Sequence, residues 1–390
     1  MSKEPTTNPL PYVVALLAAL YCCFHVFKPP VRKVVAEQKE MSPPRVVGSN
    51  PAAGEKDGTN DPATPSASAS KSRVVLVSLD GMHVKLIDVM PHLRQMFAEG
   101  SHTLKARVPW ATLEVPDADG VSARISRGAT TAISHAALFT GADPEVNGVT
   151  NEPWDDAHHT RHVHGVAFRW TPLLVKETLF TAVEQSGRGV RAYVEKGKLV
   201  GLLRADGSET GIVTRNSIDR FALRDCEAFK DASVGLIILH FKMIDGAGHS
   251  IGWLTPEQYK EAEIIDSKLK VIRDCIAAAD VRDGLSTTLI VTADHGGTPG
   301  LKKGHSANDD DNRLVPWVAV GPGIKRDYEI AGRNDLPPIE HPRNGSTSVP
   351  ATINLYDTVP TVLRILGLPR SAMPSLSAHA KSVDEIFASP

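Results

Sequence analysis

Short apolar runs alternate with helical patterns along the chain from residue 73 onward. Four runs have the nearly continuous hydrophobicity of strands buried on both faces: RVVLVSLD (73–80), VGLIILHFKMID (234–245), TTLIVTADHG (287–296) and VPWVAVGPG (315–323). Helical patterns are predicted at 91–99, 171–187, 255–279 and 353–369. Apolar strands separated by helices predict an α/β fold with a mainly parallel central sheet covered by helices on both faces.

The N-terminal part of the chain follows a different pattern. Residues 10–27 form an apolar run without acidic, lysine or arginine side chains, which predicts a transmembrane anchor after a short tail at 1–9. A cleaved signal peptide is the alternative interpretation, but no small-residue cleavage site follows the run. Residues 28–72 are rich in Pro, Ala and Ser and predict a flexible linker. The folded domain is therefore expected at 73–390.

Charge and cysteine content narrow the function classes. The formal net charge is −2, so no basic field favours nucleic acid, and nucleic-acid binding is not expected. Of the four cysteines, Cys22 and Cys23 lie in the apolar run. Cys226 and Cys275 form either a disulfide or two buried free thiols, and their spacing does not decide between them.

Acidic and histidine side chains follow three of the predicted strands. Because the carboxyl ends of parallel strands meet at one edge of a sheet, we expect these side chains to share one crevice. Taken singly, each has an ordinary structural role, such as a helix cap or a turn histidine. Together, three carboxylates and three imidazoles suit zinc, and also manganese or iron, and suffice for two ions with three protein ligands each. The six residues are Asp80, Asp245, His249, Asp294, His295 and His305.

The stretch GATTAISHAALFTG (128–141) is rich in hydroxyl groups and contains an adjacent serine and histidine. A Ser134–His135 pair suggests a serine hydrolase at first sight. However, neighbouring residues on a helix point in different directions, and the chain has no G-x-S-x-G elbow. A packing or supporting role is therefore predicted for His135.

The motifs VVLVSLDG, TTAISHAALFTGADPEVNGV, DGAGH, TADHGG and the downstream GH together resemble the alkaline phosphatase superfamily. Within it, the chain is most similar to the type I phosphodiesterase / nucleotide pyrophosphatase branch, over roughly residues 73–370. The resemblance implies an alkaline phosphatase-like catalytic domain with two divalent metal ions, for which Zn²⁺ is expected.

The resemblance also assigns roles to individual residues. It implies one metal site made by Asp245, His249 and His305, and a second made by Asp80, Asp294 and His295 with the oxygen of the nucleophile. The nucleophile of the family matches Thr131, and Thr130 is the alternative if the register shifts by one residue. Ser134 matches the position that contacts the phosphoryl oxygens, and Asn151 matches a substrate-binding asparagine. Ile133 stands where the family usually has proline.

These assignments predict a two-metal phosphohydrolase that cleaves phosphodiester or nucleotide pyrophosphate bonds of a small-molecule substrate through a phospho-threonine on Thr131. A phosphate monoesterase, a phosphonate hydrolase and a phosphoethanolamine-type transferase are alternatives within the superfamily. A catalytically silent, membrane-tethered binding domain is an alternative from another class.

The charges that flank the apolar run and the predicted chemistry favour opposite orientations of the domain across the membrane. Lys28, Arg32 and Lys33 follow the run and only Lys3 precedes it, which favours a cytosolic domain under the positive-inside rule. The chemistry favours a single-pass membrane protein with a lumenal or extracellular domain. The sequon at Asn344 is relevant only in that second case.

Overall fold

The computed structural model describes residues 71–116, 122–150, 160–163, 166–169, 173, 175, 177–302, 304–305, 310–333, 336 and 350–389. The tail 1–9, the apolar run 10–27 and nearly all of the linker 28–72 lie outside these ranges, as do Asn151 and Asn344. Within the described ranges, none of the helices has the length and hydrophobicity needed to cross a membrane.

The described strands form one large sheet and two hairpins. Their bounds are β1 (Ser72–Leu79), β2 (Ser101–Arg107), β3 (Trp110–Pro116), β4 (Ser122–Gly128), β5 (Thr160–Val163), β6 (Val166–Arg169), β7 (Gly189–Val194), β8 (Ile212–Thr214), β9 (Val234–Phe241), β10 (Ser286–Ala293), β11 (Leu314–Val320), β12 (Tyr328–Glu329) and β13 (Ile353–Asn354). β3 pairs with β4 and β5 with β6 as hairpins outside the main sheet.

The described α-helices are α1 (Pro91–Glu99), α2 (Thr131–Thr140), α3 (Pro144–Asn147), α4 (Leu179–Gln185), α5 (Leu199–Leu203), α6 (Met243–Ser250), α7 (Pro256–Asp283), α8 (Asp310–Arg313) and α9 (Thr358–Ile365). Short 3₁₀ turns lie at Val84–Val89, Arg224–Phe229, Leu355–Asp357, Arg370–Ala372 and Asp384–Ile386, and a π turn lies at Asp219–Leu223. Pro256 occupies the first turn of α7, and the side chain of Thr255 accepts from the N–H of Gln258, as the sequence signals for a helix start predict.

The main sheet has the order β12–β2–β11–β10–β1–β9–β7–β8, and β13 also pairs with β2. β10, β1, β9, β7 and β8 run parallel to one another, whereas β11 runs antiparallel to both of its neighbours. The predicted α/β fold with its mainly parallel centre is therefore present. The fourth predicted strand, β11, is the antiparallel exception.

Burial explains why the central strands are almost entirely apolar. Every residue of β9 is buried, and so are the last seven residues of β1 and of β10. A strand that is covered on both faces has no polar side to offer to water, so its hydrophobicity is continuous. Polar residues inside or directly after these strands are therefore candidates for a functional role.

Three sequence predictions of element bounds were wrong. The strand predicted over 234–245 ends at Phe241, and residues 243–250 form α6. The helix predicted over 353–369 is limited to α9, because a short strand and a 3₁₀ turn precede it. Of the helix predicted over 171–187, only Leu179–Gln185 is helical among the described residues, and the side chain of Thr178 caps it.

Candidate active site

The register of the central strands brings the candidate residues to one edge of the sheet. Leu79, the last residue of β1, lies opposite Ala293 of β10 on one side and Phe241 of β9 on the other. On the far side of β9, Val194 of β7 lies opposite His240. The residues that follow these strands therefore converge, as expected for the carboxyl edge of a parallel sheet.

Asp80, Asp294 and His295 form a closed group at this edge. One ligand atom from each lies within 4.8 Å of the others, and all three residues are fully buried. Asp80 Oδ1, Asp294 Oδ2 and His295 Nε2 have no hydrogen-bond partner among the described residues. Buried polar atoms without partners are costly. Three of them aimed at a common point fit the coordination of a divalent cation by oxygen and nitrogen.

Hydrogen bonds fix the tautomers of two histidines. His295 Nδ1 lies 2.9 Å from the carbonyl oxygen of Gly296, and His305 Nδ1 lies 3.0 Å from that of Ala129. A carbonyl oxygen only accepts, so each Nδ1 carries the proton and donates it. Each Nε2 therefore keeps its lone pair, which is the arrangement that metal-binding histidines require.

α6 supplies the other part of the site. Asp245 and His249 lie four residues apart on this helix, so they share one face, and His249 Nε2 is 3.2 Å from Asp245 Oδ1. His249 Nε2 is also 3.1 Å from His305 Nε2. The compact group around Asp245 contains His305 and His295, within 4.8 Å of one another. His249 is 37 % exposed and lies at its outer side.

The structure thus brings all six predicted ligands together. Their division into two sets differs in one respect from the expectation. His295 lies close to Asp245 as well as to Asp80 and Asp294, so it belongs to both compact groups. The rings of His295 and His305 stack at 4.1 Å between centroids, which explains this closeness. The assignment of each residue to a particular ion stays a prediction.

Thr131 is the first residue of α2 and is buried, with a relative exposure of 3 %. The helix begins after a tight turn in which Ala129 has a left-handed φ of 50°. Non-glycine residues seldom adopt this conformation outside functional or strained sites. The turn places Thr131 and the backbone N–H groups of the first helical turn at the start of α2, a suitable arrangement for an anion.

The first turn of α2 explains the residue at position 133. Ile133 is the third helical residue, and helices leave the N–H groups of this turn without an i−4 carbonyl partner. The first such bond within α2 runs from the N–H of Ser134 to the carbonyl oxygen of Thr130. A proline at position 133 would therefore remove no helical hydrogen bond.

Ser134 lies inside α2 and does not cap it. Thr130 is the N-cap, and Ser134 is the fourth residue of the helix. Ser134 is fully buried, and its Oγ has no hydrogen-bond partner among the described residues. At a spacing of three residues, Ser134 lies on the same helix face as Thr131.

His135 does not contact the hydroxyl of Thr131. Its Nδ1 lies 2.8 Å from the carbonyl oxygen of Thr131, and its Nε2 lies 2.8 Å from Ser78 Oγ. Burial, and then the neighbouring His240, hold the pKa of His135 well below its usual value, so the ring is neutral. The supporting role predicted for His135 agrees with these contacts.

Lys196, which the sequence patterns did not reveal, lies in the middle of the site. It follows β7, and its Nζ is 2.7 Å from Asp80 Oδ2, 2.7 Å from Asp245 Oδ2 and 3.1 Å from Thr131 Oγ1. Burial lowers the pKa of Lys196, but the carboxylates of Asp80 and Asp245 outweigh it and raise the pKa above its usual value. The side chain is therefore a fixed cation that touches the hydroxyl of Thr131.

Asp80 and Asp294 respond in opposite ways to this environment. Burial opposes ionisation of Asp80, but the ammonium of Lys196 and a hydrogen bond from His240 outweigh it, so the pKa of Asp80 lies well below its usual value. Burial, and then the adjacent Asp80 carboxylate, raise the pKa of Asp294 well above its usual value. Burial lowers the pKa of His295 to about 3. Neutral imidazole and a carboxylate that lacks a cation are both suited to binding metal.

Two glycines make the close packing around the site possible. Gly81 has a φ of +73°, and a Cβ there would lie 2.8 Å from Asp245 Cα. A Cβ at Gly297 would lie 2.0 Å from the indole of Trp253, which is fully buried. Trp253 also lies edge-on to the rings of His249, His295 and His305. The indole therefore holds the metal-ligand loops from one side.

Comparisons with solved structures agree on the fold. Murine ectonucleotide pyrophosphatase / phosphodiesterase 5 superposes with a TM-score of 0.53 at 12 % identity, covering 81 % of this chain and 100 % of that chain. An inactive threonine-to-alanine variant of the murine protein in complex with AMP gives 0.52 at 13 % identity, with the same coverage. The human protein gives 0.51 at 13 % identity, again over 81 % of this chain and 100 % of that chain.

A search of curated proteins finds no match to this chain. The family model described as type I phosphodiesterase / nucleotide pyrophosphatase matches residues 74–317, which is more than half of the chain. This range contains all six predicted metal ligands and Thr131. The chain therefore belongs to the type I phosphodiesterase / nucleotide pyrophosphatase family, whose members are hydrolases of the alkaline phosphatase superfamily.

Proposed function

We propose that this chain is a two-metal phosphodiesterase or nucleotide pyrophosphatase that forms a covalent phospho-threonine on Thr131. One observation carries the proposal: three buried, partnerless ligand atoms converge beside a threonine hydroxyl at the start of a helix. Such an arrangement combines a cation site, a nucleophile and N–H groups for an anion in one place.

Two divalent ions, with Zn²⁺ expected, would be held by the six side chains described above. Asp80, Asp294 and His295 would hold one of them, and Asp245 and His305 with His249 would hold the other. When bound, such ions lower the pKa of a coordinated hydroxyl and stabilise negative charge on a phosphoryl group. The neutral imidazole of His295 is ready to coordinate, because its pKa is about 3.

Thr131 Oγ1 would attack phosphorus, the bond to the leaving oxygen would break as the new P–O bond forms, and the hydroxyl proton of Thr131 would pass through solvent to the leaving oxygen. Water would then add its hydroxyl group to phosphorus and release the phosphate product, and its remaining proton would return to Thr131 Oγ1. Lys196 donates to Thr131 Oγ1 at 3.1 Å, so its charge favours the oxygen after its proton has left. An ammonium cannot accept that proton, so Lys196 is an electrostatic partner and not the base.

A serine or threonine esterase with His135 as base is disfavoured by the hydrogen bonds. Both ring nitrogens of His135 are engaged elsewhere, with the carbonyl oxygen of Thr131 and with Ser78 Oγ. A silent binding domain is disfavoured because the ligand atoms, Thr131 and Lys196 are all in place for chemistry.

The substrate class is proposed from the family and from its solved member. The inactive variant of the murine relative is in complex with AMP, and the family model is described as type I phosphodiesterase / nucleotide pyrophosphatase. We extend that class to this chain. The alternatives are hydrolysis of phosphate monoesters, hydrolysis of phosphonates, and transfer of a phosphoethanolamine group.

The test is hydrolysis by the full-length chain of bis-p-nitrophenyl phosphate, a p-nitrophenyl nucleotide, p-nitrophenyl phosphate and a p-nitrophenyl ester, with and without EDTA. We expect the diester and nucleotide to react fastest, and EDTA to abolish turnover. Thr131→Ala should lower kcat/KM by at least about 10³-fold, the scale of losing a nucleophile.

Thr130→Ala is the matched control, because Thr130 is the adjacent threonine and its side chain makes no capping hydrogen bond. It should keep kcat/KM within a few-fold of the wild type. Full activity of Thr131→Ala, or turnover that EDTA does not affect, would contradict the proposal. Loss of activity in Thr130→Ala alone would move the nucleophile by one residue.

A further inference from the structure

A buried histidine inside β9 connects the backbone of one strand to a predicted metal ligand on another. His240 lies opposite Ser78 of β1 and Val194 of β7, so it is enclosed by strands on both sides. Its Nε2 lies 2.9 Å from Asp80 Oδ2, and its Nδ1 lies 3.3 Å from the backbone nitrogen of Glu195. His240 and Asp80 are both fully buried.

The partner of Nδ1 determines the direction of the bond to Asp80. The backbone N–H of Glu195 can only donate, so His240 Nδ1 accepts. The proton of the neutral imidazole is then on Nε2, which donates to Asp80 Oδ2. The bond to Asp80 therefore requires no positive charge on His240.

This bond selects which oxygen of Asp80 faces the metal-ligand group. Asp80 Oδ2 already accepts from His240 and from Lys196. Asp80 Oδ1 has no hydrogen-bond partner among the described residues and lies 3.6 Å from His295 Nε2. Rotation of the carboxylate would break two bonds, so Oδ1 stays directed at the group.

The side chain of Glu195 is held by two hydrogen bonds, so the backbone N–H that binds His240 is held in place. Its side chain is 4 % exposed; Oε1 accepts from the N–H of Ile218 at 3.1 Å and Oε2 from the N–H of Lys242 at 2.9 Å. These bonds hold the end of β7 against the end of β9. The backbone N–H that orients His240 therefore cannot move independently of the sheet.

We propose that His240 is a positioning residue that fixes the carboxylate of Asp80 for metal binding, a role that rests on the proposed function. A purely apolar side chain of similar size would fill the same space between β1 and β7. It would leave the N–H of Glu195 unpaired, and Lys196 alone would then hold Asp80 Oδ2 in place. The prediction is therefore about metal affinity and not only about stability.

Substitution of His240 by asparagine or by glutamine separates the roles of its two ring nitrogens. Asparagine places a polar atom near the position of Nδ1 but cannot reach Asp80, whereas glutamine reaches as far as Nε2 and can donate to Asp80 Oδ2. We expect His240→Asn to weaken Zn²⁺ binding at one of two sites by about 10–100-fold, the usual scale for losing a partner of a metal ligand. His240→Gln should stay within about threefold to fivefold of the wild type on the same scale.

The measurement is a Zn²⁺ titration of the chelator-stripped, full-length chain against a chromophoric chelator, with circular dichroism melts and phosphodiesterase kinetics beside it. His102→Asn is the matched control, since His102 lies in β2 of the same sheet and stacks on Phe97. The control should bind two Zn²⁺ ions with wild-type affinity. In His240→Asn, kcat should fall more than KM rises.

The outcomes separate the two proposals. If the wild type binds two Zn²⁺ ions and hydrolyses diesters while folded His240→Asn binds both ions equally well, the positioning role is overturned and the proposed function stands. If the wild type binds no Zn²⁺, both are overturned. If His240→Asn does not fold, His240→Gln decides: a folded glutamine variant that has lost one site overturns the positioning role, and one that retains both supports it.

Discussion

At the level of single residues, Lys196 places one positive charge between two carboxylates and one hydroxyl. Its Nζ contacts Asp80 and Asp245 at 2.7 Å and Thr131 Oγ1 at 3.1 Å. Hydrogen bonds to charged groups contribute about 1.5–3 kcal/mol. A charge in this position would stabilise both the attacking oxygen and the phosphoryl group that it attacks.

Lys196→Ala is expected to lower kcat/KM by about 10–150-fold, the fold-change that corresponds to one charge-assisted hydrogen bond. Zn²⁺ binding should not weaken, because the substitution removes a cation that competes for the same carboxylates. Lys242→Ala is the matched control: Lys242 follows the neighbouring strand, and its Nζ donates to Asn216 Oδ1 in an exposed pair. Wild-type kinetics for Lys196→Ala, or loss of Zn²⁺ in that variant, would contradict this role.

The sequence reveals the predicted metal ligands but not Lys196 and His240, which contact them. Asp80 and Asp294 directly follow long apolar runs, so they are recognisable as strand-end acids. Lys196 follows the short run VRAYV, in which Arg191 interrupts the hydrophobic pattern, so no buried strand was predicted there. His240 lies inside an apolar run, and its role depends on which residues the neighbouring strands place beside it.

At the level of elements, the error over 234–245 left the position of Asp245 almost unchanged. A strand ending at Asp245 and a helix that begins at Met243 both leave the carboxylate at the same edge of the sheet. The helix adds what the strand would not, because a spacing of four residues brings His249 onto the same face as Asp245. The motif therefore brought Asp245 and His249 to the expected edge of the sheet, although the element that carries them was predicted wrongly.

α7 is the longest described helix, and a disulfide fixes it to the segment before β9. Cys275 of α7 is bonded to Cys226, with a Cα–Cα distance of 5.4 Å and a separation of 49 residues along the chain. Cys226 belongs to the 3₁₀ turn Arg224–Phe229, which precedes the amino end of β9. The disulfide therefore lies toward the side of the sheet opposite the carboxyl edge that carries the site.

The double variant Cys226→Ala/Cys275→Ala is expected to lose about 2–5 kcal/mol of unfolding free energy, the usual effect of removing a native disulfide. Because the link is far from the site, kcat should be unchanged at temperatures where the variant is folded. Denaturant unfolding with and without dithiothreitol measures the effect. Dithiothreitol should destabilise the wild type and leave the double variant unchanged, and equal stability of the two proteins would contradict the prediction.

At the level of the whole molecule, the disulfide bears on the topology that the sequence left in conflict. Lys28, Arg32 and Lys33 after the predicted anchor favour a cytosolic domain, whereas disulfides persist mainly in oxidising compartments. We propose that the catalytic domain lies on the lumenal or extracellular side. Long domains cross membranes largely regardless of flanking charge, so the basic residues are the weaker of the two signals.

Thiol trapping in intact cells tests this topology. Free thiols are blocked with N-ethylmaleimide before lysis, and disulfides are then reduced and labelled with a maleimide-linked polymer that shifts mobility. The wild type should gain two labels, on Cys226 and Cys275, and the double alanine variant should gain none. In a host that glycosylates, Asn344→Gln should also remove an endoglycosidase-sensitive shift. A wild-type chain whose Cys226 and Cys275 are both blocked before reduction would place the domain in a reducing compartment, and the flanking charges would then have set the orientation.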